Sequence, residues 1–374
     1  MLIAHADTAI STVTTSSFPV FGNLITGFIA MLVAIAVFYL IYHFASKYFP
    51  TSKRSAWSMD KQVHLGRMTS GLIIIAMMAA AWDIWWHRAV GRDNLFVAPH
   101  LLLYTCVGLV VLLCLYGWYK SRNKIWKRIV FFILLVPLSA PFDNYWHILF
   151  GVEDLSRPVA LAWTPPHVLL DLAALCALLL HIPLFLHEHK QTTRTFFLDI
   201  LFAAVAGMLS FFVMPFHPTD GWGQIFGFYG AGFMSFFYLI VLSTAQRIMR
   251  GEFDFTRITA YLLIFLFISY GKETADFVTL LPHDRPPAWI YVFAFISFGL
   301  VLDIFRKIPM VWRGALAASV WALIVFGLSR YFFEPQFYYS TSKVIISTMS
   351  SAIGAAAGVI CSGGIHKMIK KYIK

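Results

Sequence analysis

Residues 20–45 read VFGNLITGFIAMLVAIAVFYLIYHFA, and this stretch contains no Lys, Arg, Asp or Glu. A helix of about 20 apolar residues is long enough to cross the roughly 30 Å hydrocarbon core of a bilayer. Ten more apolar runs follow, so the sequence predicts an all-α, polytopic integral membrane bundle of about eleven transmembrane helices. The eleven runs cover residues 20–45, 66–88, 97–119, 129–149, 166–186, 196–215, 225–246, 258–281, 288–305, 314–333 and 343–363.

The composition excludes several other classes of protein. Hydrophobic residues make up 59% of the chain and charged residues 13%, whereas soluble domains average about 25% charged residues. The four Cys lie inside apolar runs and form no CxxC pair, so neither a disulfide framework nor a zinc ribbon is indicated. The sequence also has no Walker loop, no dinucleotide-binding glycine pattern and no nucleophile elbow.

The basic residues predict an orientation in the membrane. The formal charge is +11, and 22 of the 29 Lys and Arg lie at the facing ends of alternate pairs of apolar runs, between them, or in the C-terminal tail. Because loops rich in Lys and Arg remain in the cytoplasm, we expect the N-terminus outside and the C-terminus inside. The positive charge is thus a topology signal rather than a sign of nucleic-acid binding. The expected setting is the lipid bilayer of the cell membrane, crossed many times.

The chain divides into four sections by sequence. Residues 1–19 form an external tail, 20–187 hold a duplicated motif, 188–364 form the remaining helices, and 365–374 are a basic cytoplasmic tail. In the last apolar run, Ser350, Ser351, Gly354 and Gly358 form a small-residue face. Such a face predicts close helix packing, within the fold or against a partner.

The duplicated motif reads DxxWHxxxG, a loop, and then PH. Asp and His four residues apart point from nearly the same helical face. Proline suits the first turn of the next helix, which returns the second His to the same depth. Each hairpin can therefore direct one carboxylate and two imidazoles at one point. The copies are Asp83, Trp86, His87, Gly91, Pro99 and His100, and Asp143, Trp146, His147, Gly151, Pro165, Pro166 and His167.

Two imidazoles and a carboxylate form a metal site with open coordination positions, which suits copper, non-haem iron or catalytic zinc. An internal duplication preserved for packing alone is the competing interpretation. The predicted ligands are Asp83, His87, His100, Asp143, His147 and His167. We further expect all four His to come together, because internal repeats pack around a pseudo-symmetry axis.

Several other polar residues fall near the predicted site. Tyr104 and Asp171 each follow a motif His by four residues, and Asp171 is either an outer-shell partner of His167 or a further ligand. Lys272, Glu273 and Asp276 lie at the same predicted level in the eighth run. They form either a buried ion pair or a polar wall beside the metal.

The pattern Asp83-x3-His87-x12-His100, with Trp86 before the first His and Arg92-Asp93 after it, resembles the copper-site motif in the C subunit of particulate methane and ammonia monooxygenases. In that family an Asp and two His bind copper near one membrane face, and a nearby Asn, His and His can also bind it. Asp143, His147 and His167 match that second set, with Asp143 in place of the amide. The resemblance covers about residues 66–187.

The resemblance implies a copper-dependent oxidoreductase that activates O2 and acts on a small apolar substrate. It also implies neighbouring membrane subunits, and a homo-oligomer is a further expectation. Two other classes remain open. A copper carrier or assembly factor would favour sulfur ligands, but no MxxM spacing occurs, and the adjacent pair Met77 and Met78 is out of helical phase with Asp83. A zinc-dependent membrane hydrolase would use its metal to activate water.

Overall fold

A computed structural model describes residues 21–49, 57–89, 96–121, 123–150, 164–213, 223–249, 253–269, 288–328 and 340–373. All regular structure in these ranges is helical. A short helical turn, Ile182–Phe185, extends α5, and a π-helical turn, Leu323–Leu328, extends α10. The helices are α1 (Phe21–Tyr48), α2 (Met59–Ala89), α3 (Ala98–Ser121), α4 (Lys124–Phe150), α5 (Pro165–Leu179), α6 (Gln191–Val213), α7 (Gly223–Met249), α8 (Phe255–Ser269), α9 (Ala288–Ile304), α10 (Met310–Ala322) and α11 (Thr341–Ile373).

The described helices confirm the predicted fold class. Nine of them are long and apolar enough to cross a membrane, and α8 and α9 contain the shorter apolar stretches Phe255–Leu266 and Val292–Ile304. Each predicted apolar run overlaps one described helix. The chain is a multi-pass membrane protein.

Several helices are longer than the apolar runs that predicted them. α2 begins at Met59, α4 begins at Lys124, and α11 continues to Ile373 through most of the basic section 365–374. Lys, Arg and Gln are good helix formers. A helix therefore continues past the point where its sequence becomes polar, and hydropathy marks only the part that faces the hydrocarbon.

The two ends of α2 define two faces of the bundle. At one end, His189 Nε2 lies 3.6 Å from Asp60 Oδ1, and Arg67 pairs with Glu188. At the other end, Asp83 lies 2.9 Å from His100 at the start of α3. The rise from Asp60 to Asp83 is about 35 Å at roughly 1.5 Å per residue. The contact with His100 thus lies on the face opposite the basic loops.

The most extensive helix pairing joins α7 and α11 through small residues. A Cβ atom added at Gly354 would lie 2.0 Å from the carbonyl oxygen of Gly232, and one added at Gly358 would lie 2.4 Å from the carbonyl oxygen of Phe236. The two backbones therefore approach each other directly. The small-residue face predicted from the sequence packs within the fold.

Two polar contacts bind α8 to its neighbours. The fully buried Asp199 of α6 accepts a hydrogen bond from the Arg257 side chain. Asp303, near the end of α9, accepts hydrogen bonds from the backbone N–H of Phe255 at 3.3 Å and of Thr256 at 2.8 Å. The first amides of a helix have no partner within it. A carboxylate from another helix therefore caps α8.

The first helix meets the motif-bearing hairpins at one glycine. A Cβ atom added at Gly27 would lie 2.3 Å from the Trp146 ring and 2.8 Å from Pro165 Cγ. Trp146 is buried, so the tryptophan of the second motif copy is a packing residue beneath α1. Most of the α1 surface is exposed on the bundle, as expected for a helix that faces lipid.

Candidate metal centre

The first motif copy brings a carboxylate and an imidazole together across the α2–α3 hairpin. Asp83 Oδ1 and His100 Nε2 are 2.9 Å apart, and both side chains are largely buried. Pro99 lies in the first turn of α3, where a missing N–H leaves no helical bond unmade. The helix start thus fixes His100 at the level of the last turns of α2, as the spacing predicts.

The second copy repeats this arrangement across the α4–α5 hairpin with a wider gap. His167 Nε2 lies 3.7 Å from Asp143 Oδ1, which is an ion-pair distance rather than a hydrogen bond. On the other side of the ring, His167 Nδ1 lies 2.6 Å from the Thr164 hydroxyl. Thr164 stands at the N-cap of α5, but its hydroxyl makes no capping bond to that helix. The Thr164 hydroxyl is instead within hydrogen-bonding distance of His167.

A hydroxyl beside Nδ1 suits an imidazole that changes its protonation state. It can donate to Nδ1 when Nε2 carries the proton, and accept from Nδ1–H when Nε2 is free to bind a metal. Outer-shell partners of this kind fix the orientation of metal-binding histidines. Thr164 is therefore the positioning residue of the second pair. In the sequence, the feature that could have indicated this role is a Thr three residues before His167.

Thr164→Val is expected to weaken metal binding at the second pair by about 10–100-fold, because loss of an outer-shell partner typically has that effect. Thr164→Ser keeps the hydroxyl and should remain within about threefold of the wild type. Competition with a chelator of known affinity measures both values. Equal affinities for the Val and Ser variants would show that the hydroxyl has no part in holding His167.

One cavity joins the two copies. It has a volume of about 150 Å³ and lies between α2, α3, α4 and α5, with α6 and α8 closing one side. Asp83 from the first copy lines it together with His167 and Asp171 from the second. Asp171 follows His167 by one helical turn on α5, so both project into the same space. The duplicated hairpins thus open into one shared chamber.

A tyrosine of α3 lies beside the first pair. The Tyr104 ring packs beside the His100 ring, with 5.8 Å between their centroids. Its hydroxyl lies within electrostatic range of Asp83 and of Asp143. Tyr104 is thus a neighbour of the first pair, and its role as an outer-shell residue stays a prediction.

Other predicted residues lie outside what the structure describes. His87 and His147 belong to described helices, but their side chains are not described, and Lys272, Glu273 and Asp276 lie between the described ranges. The convergence of all four His stays a prediction. Among the side chains that are described, no group of three or more His, Cys, Asp and Glu gathers at metal-binding distance.

The spacing of the two pairs nevertheless fits metal ligands. With bonds of about 2.1 Å to each ligand, two donors on one ion lie about 3.0–3.6 Å apart at angles from 90° to 120°. The observed distances of 2.9 Å for Asp83 with His100 and 3.7 Å for Asp143 with His167 lie close to either end of this range. Each pair supplies two donors, and the third of each predicted triad is His87 or His147.

Two methionines line the same cavity as Asp83. Met77 of α2 and Met208 of α6 both line the cavity that contains Asp83. Met77 is out of helical phase with Asp83, and the chamber meets both positions of α2. Met208 had no signal in the sequence, since its approach depends on how α6 packs.

The fold and this site define a multi-pass, helical membrane protein with two Asp–His pairs, one residue of each pair lining a shared chamber. Comparisons with family models, with curated proteins and with solved structures find no match for the chain.

Proposed function

We propose that this protein is a membrane metalloprotein that binds copper where the two motif copies meet and acts as an oxidoreductase of the monooxygenase type. One observation carries the proposal: an Asp–His pair from each copy, with Asp83 and His167 lining the same chamber. Chance decoration of helix ends has no reason to place equivalent pairs around one cavity.

In this proposal Asp83, His87 and His100 hold one metal ion, and Asp143, His147 and His167 hold a second ion or complete a shared site. Bound copper would supply O2 activation toward a small apolar substrate. The residues of the chain would orient the metal-binding histidines and exclude water from the site. Thr164 holds His167, while the apolar chamber walls keep water from the reacting groups.

A copper carrier is the second candidate function, and the two methionines favour it. Thioether sulfur suits Cu(I), and Met77 and Met208 face the same chamber as the carboxylates. A carrier would release its copper to an acceptor and consume no O2. A zinc-dependent hydrolase or a non-haem iron protein would use the same Asp and His residues with a different metal.

Elemental analysis of the purified protein, with electron paramagnetic resonance of the oxidised sample, tests the proposal. Copper near one or two equivalents, with a Cu(II) signal split by nitrogen ligands, is the expected result. Zinc or iron in place of copper would change the proposed function to a zinc-dependent hydrolase or a non-haem iron protein. Protein that binds none of these metals would overturn the proposal. Consumption of O2 in the presence of a reductant then separates an oxidoreductase from a carrier.

The proposed setting is the cell membrane, with the N-terminus and the metal centre outside. Phe96 and His189 are both exposed and lie near opposite ends of α2. In a cysteine-free background, we expect Phe96→Cys to react with a membrane-impermeant maleimide in intact cells. His189→Cys should react only after lysis. The reverse pattern would mean the opposite orientation.

Neighbouring membrane subunits or further copies of the chain are also part of the proposal.

A further inference from the structure

The chamber extends well beyond the polar end that holds the Asp–His pairs. Along α2 it reaches from Asp83 back to Ile73, a distance of about 15 Å at roughly 1.5 Å per residue. The lining in this deeper part is aliphatic. It includes Ile73, Ala76, Val110, Ile133, Val136 and Ala174.

The far wall comes from the second half of the chain. Gly207 of α6 and Phe265 of α8 both line the chamber. A Cβ atom added at Gly207 would lie 2.4 Å from the Phe265 ring, so the ring rests directly on the α6 backbone. The Asp199–Arg257 ion pair ties the same two helices together eight residues earlier on each. The position of the Phe265 ring is thus fixed by two contacts.

We infer that the chamber binds one small, uncharged apolar molecule, and that Phe265, seated on Gly207, sets the size limit. An apolar cavity of roughly 150 Å³ holds benzene or xenon in other proteins, and this chamber has that volume. Most of its lining away from Asp83, His167 and Asp171 is aliphatic, and this part favours an uncharged ligand, since a charge buried without a partner is costly. The inference deepens the proposed function, because it names the molecule that the same site would present to the metal.

The assignment also gives the second half of the chain a role. α6 and α8 contribute no predicted metal ligand among their described residues, yet they close the chamber opposite α3 and α4. The first half thus supplies the polar end, and the second half determines what fits beside it. Phe265 is a specificity-determining residue.

Saturable binding of fluorobenzene, followed by 19F NMR with the full-length protein in nanodiscs, tests the chamber. The protein is first treated with a chelator, so that binding does not depend on metal. Ala174→Leu and Ala80→Leu each add three carbon atoms to the chamber lining, from α5 and α2. Ala30→Leu makes the same change on the exposed surface of α1 and is the matched control.

The expected result is one saturable site in the wild type and in Ala30→Leu, with affinity at least tenfold lower in both chamber variants. A wild type that shows no saturable component, or a variant of either chamber position that is well folded and binds like the wild type, would overturn the inference. If one chamber variant fails to fold, the other decides. Fluorobenzene binding in a protein that never binds metal would keep the chamber and remove only the proposed function.

A larger ligand tests the size limit that Phe265 sets. Fluoronaphthalene should not bind the wild type, because its second ring would meet Phe265. Phe265→Leu, which shortens that wall, should admit it with at least tenfold higher affinity. Equal exclusion by both proteins would remove Phe265 from the role, and binding to the wild type would show that the chamber is larger than inferred.

Discussion

Protein carrying His100→Ala is expected to purify without the metal proposed for the first motif copy, while the wild type retains it. In the proposed site His100 supplies one of only a few donors, and Asp83 lies 2.9 Å from its Nε2 atom. Loss of an outer-shell partner already lowers metal affinity by roughly 10–100-fold. Loss of a ligand should exceed about 100-fold, which leaves the site empty after purification.

The fold should survive this change. The His100 side chain lies at the end of a helix and contributes little to the apolar surface that packs α3 against its neighbours, so the melting temperature should change by only a few degrees. His43→Ala removes an imidazole from the exposed face of α1 and serves as the control. If His100→Ala retains the metal content of the wild type and of His43→Ala, the first pair is structural, and the resemblance to copper monooxygenases loses its main support.

Gly354→Leu should have the largest effect on stability. The new Cβ atom would lie 2.0 Å from the carbonyl oxygen of Gly232, and a clash with backbone cannot be relieved by a change of rotamer. Overpacking a well-packed core typically costs about 1–3 kcal/mol and occasionally more. Here α7 and α11 must move apart along their whole contact, so we expect a loss of at least about 3 kcal/mol, seen as a lower melting temperature and a poor yield of monodisperse protein.

Gly363→Leu is the matched control in the same helix. A Cβ atom added there meets no atom within 4 Å, and leucine is a better helix former than glycine by roughly 1 kcal/mol. This variant should be as stable as the wild type or slightly more stable. Comparable melting temperatures for the two leucine variants would mean that the α7–α11 contact does not hold the bundle together.

Hydropathy alone located all eleven helices, because the length needed to cross a bilayer leaves a signal of about 20 residues in the chain. The pairing of Asp83 with His100 was equally accessible. It depends on the Asp and His spacing in one helix and on a proline that begins the next, and both are local properties. The repetition in Asp143 and His167 made the pattern recognisable without a structure.

The rest of the site depends on which helix faces meet, and hydropathy does not record that. Phe265 and Met208 look like ordinary apolar residues of their helices, and only the packing of α6 and α8 brings them to the chamber. Gly207 gave no signal for the same reason. Thr164 could have been noted from its place before Pro165 and His167, but its hydroxyl could equally have capped α5.

The carboxylate that caps α8 also bears on how the protein is made. Asp303 lies 47 residues beyond Thr256, and its carboxylate accepts a hydrogen bond from the backbone N–H of Thr256. At roughly 5–20 residues per second, a ribosome needs about 2–9 s to add that length. During this interval the first amides of α8 lack their acceptor. The cap of α8 is therefore completed only after the residues of α9 have been synthesised.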